Sequence, residues 1–210
     1  MDILVTGSGG FLGKNLCEKL SKNGHKVYAI DNNFRGDLTR LKQNKNIIKK
    51  KIDILQFNKL KKNFKKFDIV FHLAAINGTE NFYKIPDKVI ETGIIGTYNI
   101  IQLCKIYNVP KFVFASSSEV YNQPDHIPTT EQVKINIPDI TNERFSYSGS
   151  KIAGELLTIN LLKKSKTKYL IFRPHNVIGP EMGFEHVIPQ ITKKFFTNSK
   201  YKNKVEINAQ

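Results

Sequence analysis

The chain has 210 residues, enough for one domain or slightly more, and at this size folding buries roughly 70% of the unfolded surface without disulfide or metal staples. At 40% hydrophobic and 24% charged residues it has ordinary globular composition, which excludes collagen-like and disordered chains. The net charge is +15, but 29 of the 33 basic residues are Lys and only 4 are Arg, beside 20 Asn and 26 Ile. Lys, Asn and Ile share A/T-rich codons, and a phosphate-reading surface favours the bidentate fork of Arg, so neither nucleic acid nor a membrane is expected as a partner.

In chain order, residues 2–6 read as a buried strand. A glycine-rich turn follows, then a helix from Phe11 to about Lys22 whose Leu12, Leu16 and Leu20 form an apolar stripe. Asn23-Gly24 stops that helix. A second strand over 26–30 ends at Asp31, and a third over 47–52 ends at Asp53. A lysine-rich helix near 56–66 leads to a fourth strand, Asp68 to Leu73. A long helix is expected over 87–107, a fifth strand over 111–115, a proline-containing loop, a helix over 146–164 and a sixth strand over 168–172. Strands alternating with amphipathic helices predict an α/β fold, a doubly wound parallel sheet. No apolar run reaches the ~18 residues of a bilayer span, and the acid at Asp2 does not suit a signal peptide. Cys17 and Cys104 lie in helical patterns and read as reduced thiols of a cytoplasmic protein.

The first chemical constellation is Gly7-Ser8-Gly9-Gly10-Phe11-Leu12-Gly13, placed after a strand and at the opening of a helix. Gly7 allows the tight turn, Gly10 the approach of a pyrophosphate, and Gly13 close packing of helix on strand. The helix N-terminus offers unpaired N–H groups to phosphates. Asp31 ends the second strand, 18 residues after Gly13, where a carboxylate accepts hydrogen bonds from the adenosine ribose hydroxyls. It also repels a 2′-phosphate, which favours NAD over NADP, although Arg35 lies close by.

The second constellation is Tyr147-Ser148-Gly149-Ser150-Lys151. Its spacing puts Tyr147 and Lys151 one turn apart on one helix face. A neighbouring ammonium and a cationic nicotinamide would both lower the phenol pKa. Ser116-Ser117-Ser118 stands at the carboxyl end of the fifth strand, where an open α/β sheet places its ligands.

These residues resemble the extended short-chain dehydrogenase/reductases of the nucleotide-sugar epimerase/dehydratase family, a Rossmann fold. The resemblance rests on Gly7, Gly10 and Gly13, Asp31-Asn32, Asp53-Ile54, His72 to Ala75, Gly96 to Asn99, Ser116 to Tyr121, Tyr147 with Lys151, and Arg173 to Pro180. It implies Ser117, Tyr147 and Lys151 as the catalytic set. It implies NAD held by Gly7, Gly10, Phe11, Leu12, Gly13, Asp31, Asn32, Asp53, Ile54, Leu73, Ala74, Ala75, Tyr147 and Lys151. Ser117, Ser118, Glu119 and Asn176 would meet the nucleotide-sugar substrate. Residues 1–180 would form the NAD-binding domain and 181–210 the start of a substrate lobe. Members run considerably longer, so a C-terminally truncated chain is expected, stopping where Val205 to Asn208 would begin a strand of that lobe.

The reading that follows is an NAD-dependent epimerase acting at C4 through a keto sugar. Rivals are a UDP-glucuronate decarboxylase, with Glu119 serving the ring and Arg173 or a nearby base holding the carboxylate, a 4,6-dehydratase, and a catalytically inactive NAD-binding module. Against the dehydratase, Ser118-Glu119 stands where that group has Asp-Glu. Gly93 replaces the family's usual Asn and would weaken a polar network. His72 reads as a core histidine, and His175 with His186 gives no zinc site. Asn77 to Glu80 is either a turn or a sugar contact. Wide apolar arcs on the helices over 87–107 and 146–164 predict a homodimer, in line with the family's four-helix contact.

Overall fold

Runs rich in Val, Ile and Phe, half or fully apolar in alternation, form six strands: β1 (Asp2–Thr6), β2 (Lys26–Asp31), β3 (Ile47–Lys51), β4 (Ile69–His72), β5 (Lys111–Ala115) and β6 (Lys168–Phe172). In this computed structural model, which describes residues 1–179, 182, 183 and 187–198, they make one parallel sheet in the order β3-β2-β1-β4-β5-β6. Successive side chains leave opposite faces of a strand, so β1 feeds two cores. Leu4 joins Val70, Phe112, Phe114, Ile100 and Leu103 on one face. Ile3 and Val5 join Val27, Ala29, Leu38 and Cys17 on the other.

The crossovers hold α1 (Phe11–Lys22), α2 (Phe57–Asn63), α3 (Thr79–Lys84), α4 (Pro86–Glu91), α5 (Thr97–Ile106) and α6 (Ser146–Leu162). The chain forms two compact units, Met1–His175, which contains the sheet, and Asn176 onward, which contains α7 (Val187–Asn198). Pro180, His186 and the strand expected at Val205 to Asn208 lie outside the described residues.

Three expectations need correction. The buried face of α1 is Gly13, Lys14, Cys17 and Ser21, while Leu12 is exposed. Small residues let the helix sit close to the sheet, and of the expected stripe Leu16 and Leu20 pack partly buried against that core while Leu12 does not. The single helix expected over 87–107 is two helices joined by a π-helical turn, Thr92–Gly96. Pro86 at the first helical position starts the pair, as its fixed φ permits. Finally, a short helix, α3, stands where none was expected: Gly78, at φ 108°, precedes it, and Thr79 and Glu80 are its first residues.

Gly93 lies in the π-turn where it packs on α6. A Cβ there would lie 2.5 Å from both Cβ and Oγ of Ser150 on α6. The turn and α6 therefore touch backbone to side chain, and the Asn usual in the family would not fit this packing.

Candidate active site

The strand order reverses between β1 and β4, so the crevice beyond their carboxyl ends is the expected ligand position. Gly7, at φ 70°, turns the chain out of β1, and a Cβ on Gly13 would lie 2.1 Å from the Gly7 carbonyl. Gly10 differs: a Cβ there would meet only the Gly7 carbonyl, at 3.4 Å, so this side of the turn stays open. No side chain caps α1, which leaves the first-turn N–H groups of Phe11, Leu12 and Gly13 for another acceptor.

Asp31 is oriented at the edge of this opening. Its carboxylate accepts from the N–H of Gly9 at 2.9 Å and of Asn33 at 2.8 Å, and each oxygen keeps a lone pair for a hydroxyl. Asn32 donates to Asp53 at 2.9 Å, and Asp53 also accepts from the Leu55 N–H at 2.9 Å. Ile54 is buried, and its carbonyl accepts from Asn99 at 2.9 Å. An uncapped, open helix terminus beside a fixed carboxylate fits the diphosphate and ribose of a dinucleotide.

Leu73, Ala74 and Ala75 follow β4 and are partly buried. The Ala74 N–H points at the Thr6 hydroxyl, 3.4 Å away. Thr6 Oγ1 lies 2.7 Å from His72 Nδ1, and His72 Nε2 lies 3.0 Å from Thr97 Oγ1. Thr97 donates its hydroxyl proton to the Gly93 carbonyl at 2.6 Å, so it accepts from His72 Nε2–H. His72 is then the neutral Nε2–H tautomer, its Nδ1 accepts from the Thr6 hydroxyl, and the donations run one way from the Ala74 N–H to the Gly93 carbonyl. Burial, followed by the charge of Lys151, pushes the His72 pKa down to about 3. The core-histidine reading describes it, and its hydrogen-bond chain ends on the Gly93 carbonyl.

Ser117, Tyr147 and Lys151 come together beyond β5, all buried. Lys151 donates to the Ala115 carbonyl at 2.7 Å and sits 5.6 Å from the Tyr147 ring centroid. Burial pushes the Lys151 ammonium down to about 8. It pushes the Tyr147 phenol up to about 12, with the Ser117 hydroxyl and the Arg35 charge pulling down and Glu119 adding to the rise. The expected lowering is thus reversed in the protein alone, because desolvation outweighs the neighbouring cations.

The other candidates are distributed differently. Ser118 turns to His175 Nδ1 at 3.2 Å. Glu119 accepts from Arg144 at 2.8 Å. Asn176 is exposed and opens the second unit, at φ 41°. Arg173 is engaged by both oxygens of Glu155, at 2.8 and 2.7 Å, and by the Tyr121 hydroxyl at 3.0 Å. That fork does not suit it to hold a substrate carboxylate. Ser116 joins the same cluster, donating to Glu155 at 2.5 Å. Sequence patterns did not single out Phe82, which stacks on Tyr147 with centroids 5.1 Å apart, or Arg144, whose guanidinium lies over the Phe82 ring.

The fold agrees with comparisons to known proteins. The chain is 32% identical over 94% of its length to a dTDP-D-glucose 4,6-dehydratase of Dictyostelium discoideum, covering 49% of that protein. It is 34% identical over 84% of its length to a UDP-N-acetyl-alpha-D-glucosaminuronate decarboxylase of Bacillus cytotoxicus, covering 54%. A solved UDP-galactose 4-epimerase superposes with TM-score 0.83 at 29% identity, over 95% of this chain and 64% of that one. The chain spans about half the length of the curated relatives it matches. The model of the NAD dependent epimerase/dehydratase family matches residues 3–207, and with the parallel sheet, the glycine turn and the Ser/Tyr/Lys cluster in place, the chain belongs to that family.

Proposed function

We propose that this chain binds NAD and that the whole protein is a nucleotide-sugar epimerase acting at C4. The observation that carries the reading is the convergence of Ser117, Tyr147 and Lys151 at the carboxyl end of β5, on the same edge of the sheet as the open glycine turn after β1. Asp31 holds the adenosine ribose, and the first turn of α1 takes the diphosphate. Asn32, Asp53 and Ile54 border the adenine, and Leu73, Ala74 and Ala75 line the path to Tyr147. NAD, when bound, accepts a hydride from the sugar carbon and returns it. Tyr147 takes the proton of the sugar hydroxyl as the keto group forms and gives it back when the hydride returns to the other face. Ser117 shares that proton by hydrogen bonding. Lys151, one turn from Tyr147, stabilises the phenolate and meets the nicotinamide ribose with donors that Ala115 leaves unused. Ser118 and Glu119 border the sugar, and Asn176 is assigned to the substrate as well.

The test is Tyr147→Phe in the whole protein. Interconversion of UDP-glucose and UDP-galactose is expected to fall by at least ~10³-fold, the scale of a lost acid/base, while NAD stays bound. Undiminished turnover would overturn the assignment. Release of CO₂ from UDP-glucuronate, without interconversion, would mark a decarboxylase instead. We also propose a homodimer through α4, α5 and α6.

A further inference from the structure

Tyr147 is stacked in a way the Ser/Tyr/Lys pattern does not require. Phe82 of α3 is buried and lies nearly parallel to its ring, with centroids 5.1 Å apart and planes 13° apart. The guanidinium of Arg144 lies over the Phe82 ring, 5.1 Å from its centroid. Arg144 comes from the 3₁₀ turn just before α6, held by an N–H donated to Asn142 at 2.9 Å. The same guanidinium pairs with Glu119 at 2.8 Å, and the Glu119 N–H donates to Ser117 Oγ at 3.2 Å. One cation therefore touches both the ring stacked on the phenol and the carboxylate next to Ser117.

We propose that Arg144 is a positioning residue for Tyr147: it clamps Phe82 flat against the phenol and neutralises Glu119, the carboxylate on that side of the site. The inference rests on Tyr147 as the acid/base of the proposed reaction. The charged and titratable groups around the phenol come from every element packed on it. Lys151 lies on α6, Ser117 and Glu119 follow β5, Arg35 follows β2, and Arg144 precedes α6. Glu119 favours the protonated phenol and Arg35 the phenolate. A carboxylate paired with a guanidinium projects much less field than a bare one. Removing Arg144 would expose the phenol to the full charge of Glu119.

The experiment places a fluorinated tyrosine at position 147 of the chain, chosen so that its more acidic phenol titrates where the fold survives. The ¹⁹F shift of that single ring gives its midpoint, with and without NAD. Arg144→Met is expected to raise the midpoint by about half to one pH unit and Glu119→Gln to lower it by a similar amount. The double variant should return close to the parent, and Arg144→Lys should keep the parent midpoint. Loss of packing alone would admit water and lower the midpoint in Arg144→Met. A fall or no change in that variant, or shifts of the same sign in both single variants, would overturn the proposal. Phe82→Leu, expected to lower the midpoint toward that of an ordinary phenol, tests the stack by itself. If Tyr147→Phe were inactive but these midpoints failed to move, the clamp alone would fail. If the midpoints moved as expected but Tyr147→Phe kept full turnover, the catalytic reading would fail and the clamp would stand.

Discussion

At the scale of single residues, His72 shows how one proton can fix a local structure. Its two ring nitrogens face two threonine hydroxyls, and each hydroxyl is already committed on its other side. A second ring proton would meet Thr6, whose oxygen then has two donors and whose own proton has no acceptor. The folded pKa, about 3, lies below the ordinary value of 6.5. The folded state therefore refuses a proton that the unfolded chain takes up, and stability is full above pH 6.5 and lost progressively as pH falls below it. We predict a loss of about 1.4 kcal/mol between pH 7.5 and 5.5 from this group, the value of one pH unit of differential protonation. Urea unfolding at the two pH values measures it. His72→Gln should start less stable and lose markedly less over the same interval, and an equal loss would mean that other groups dominate.

At the scale of elements, the contact between the π-turn and α6 is a close joint near the site. Gly93→Ala should destabilise the fold by ~2 kcal/mol, as overpacking does, because the new methyl meets Ser150. In a Ser150→Gly background the same change should be neutral or slightly stabilising, the coupling expected of residues in contact. Denaturant midpoints of the four proteins decide this, and equal costs in both backgrounds would refute the contact. The sequence made the strands legible because each is a short apolar run closed by a turn, and made Tyr147 and Lys151 legible because they share one helix. It hid the π-turn, since one inserted residue barely disturbs the spacing of Val89, Ile90 and Ile94. It hid α3 because six residues after Asn77-Gly78 read as a turn. Phe82, Arg144 and Glu119 come from three separate elements, and no local pattern announces such a meeting. The α1 stripe is right at Leu16 and Leu20, which pack against the core, and wrong at Leu12, because Gly13 and Cys17 make the close approach of helix to sheet.

At the scale of the whole molecule, the helices of one face divide their apolar residues between two surfaces. Val89, Ile100, Ile101, Leu103 and Leu162 are in the core, while Ile90, Ile95, Tyr98, Ile106, Leu156 and Ile159 are exposed. That outer set lies on α4, α5 and α6 and the π-turn, which is the surface proposed for a second copy. Sedimentation at micromolar concentration should show a dimer, and Leu156→Glu combined with Ile95→Glu should show a monomer with unchanged secondary structure. A monomeric parent protein would overturn the dimer. The two cores also differ in a way that makes them separately observable. Cys17 lies in one and Cys104 in the other, both as free, buried thiols. Burial pushes the Cys17 thiol up to about 12 and that of Cys104 higher still, so neither supplies thiolate while its face is closed. A thiol reagent therefore works as a clock on each side of the sheet. Equal modification rates at the two positions mean that both layers open in one event, and unequal rates identify the layer that peels away first.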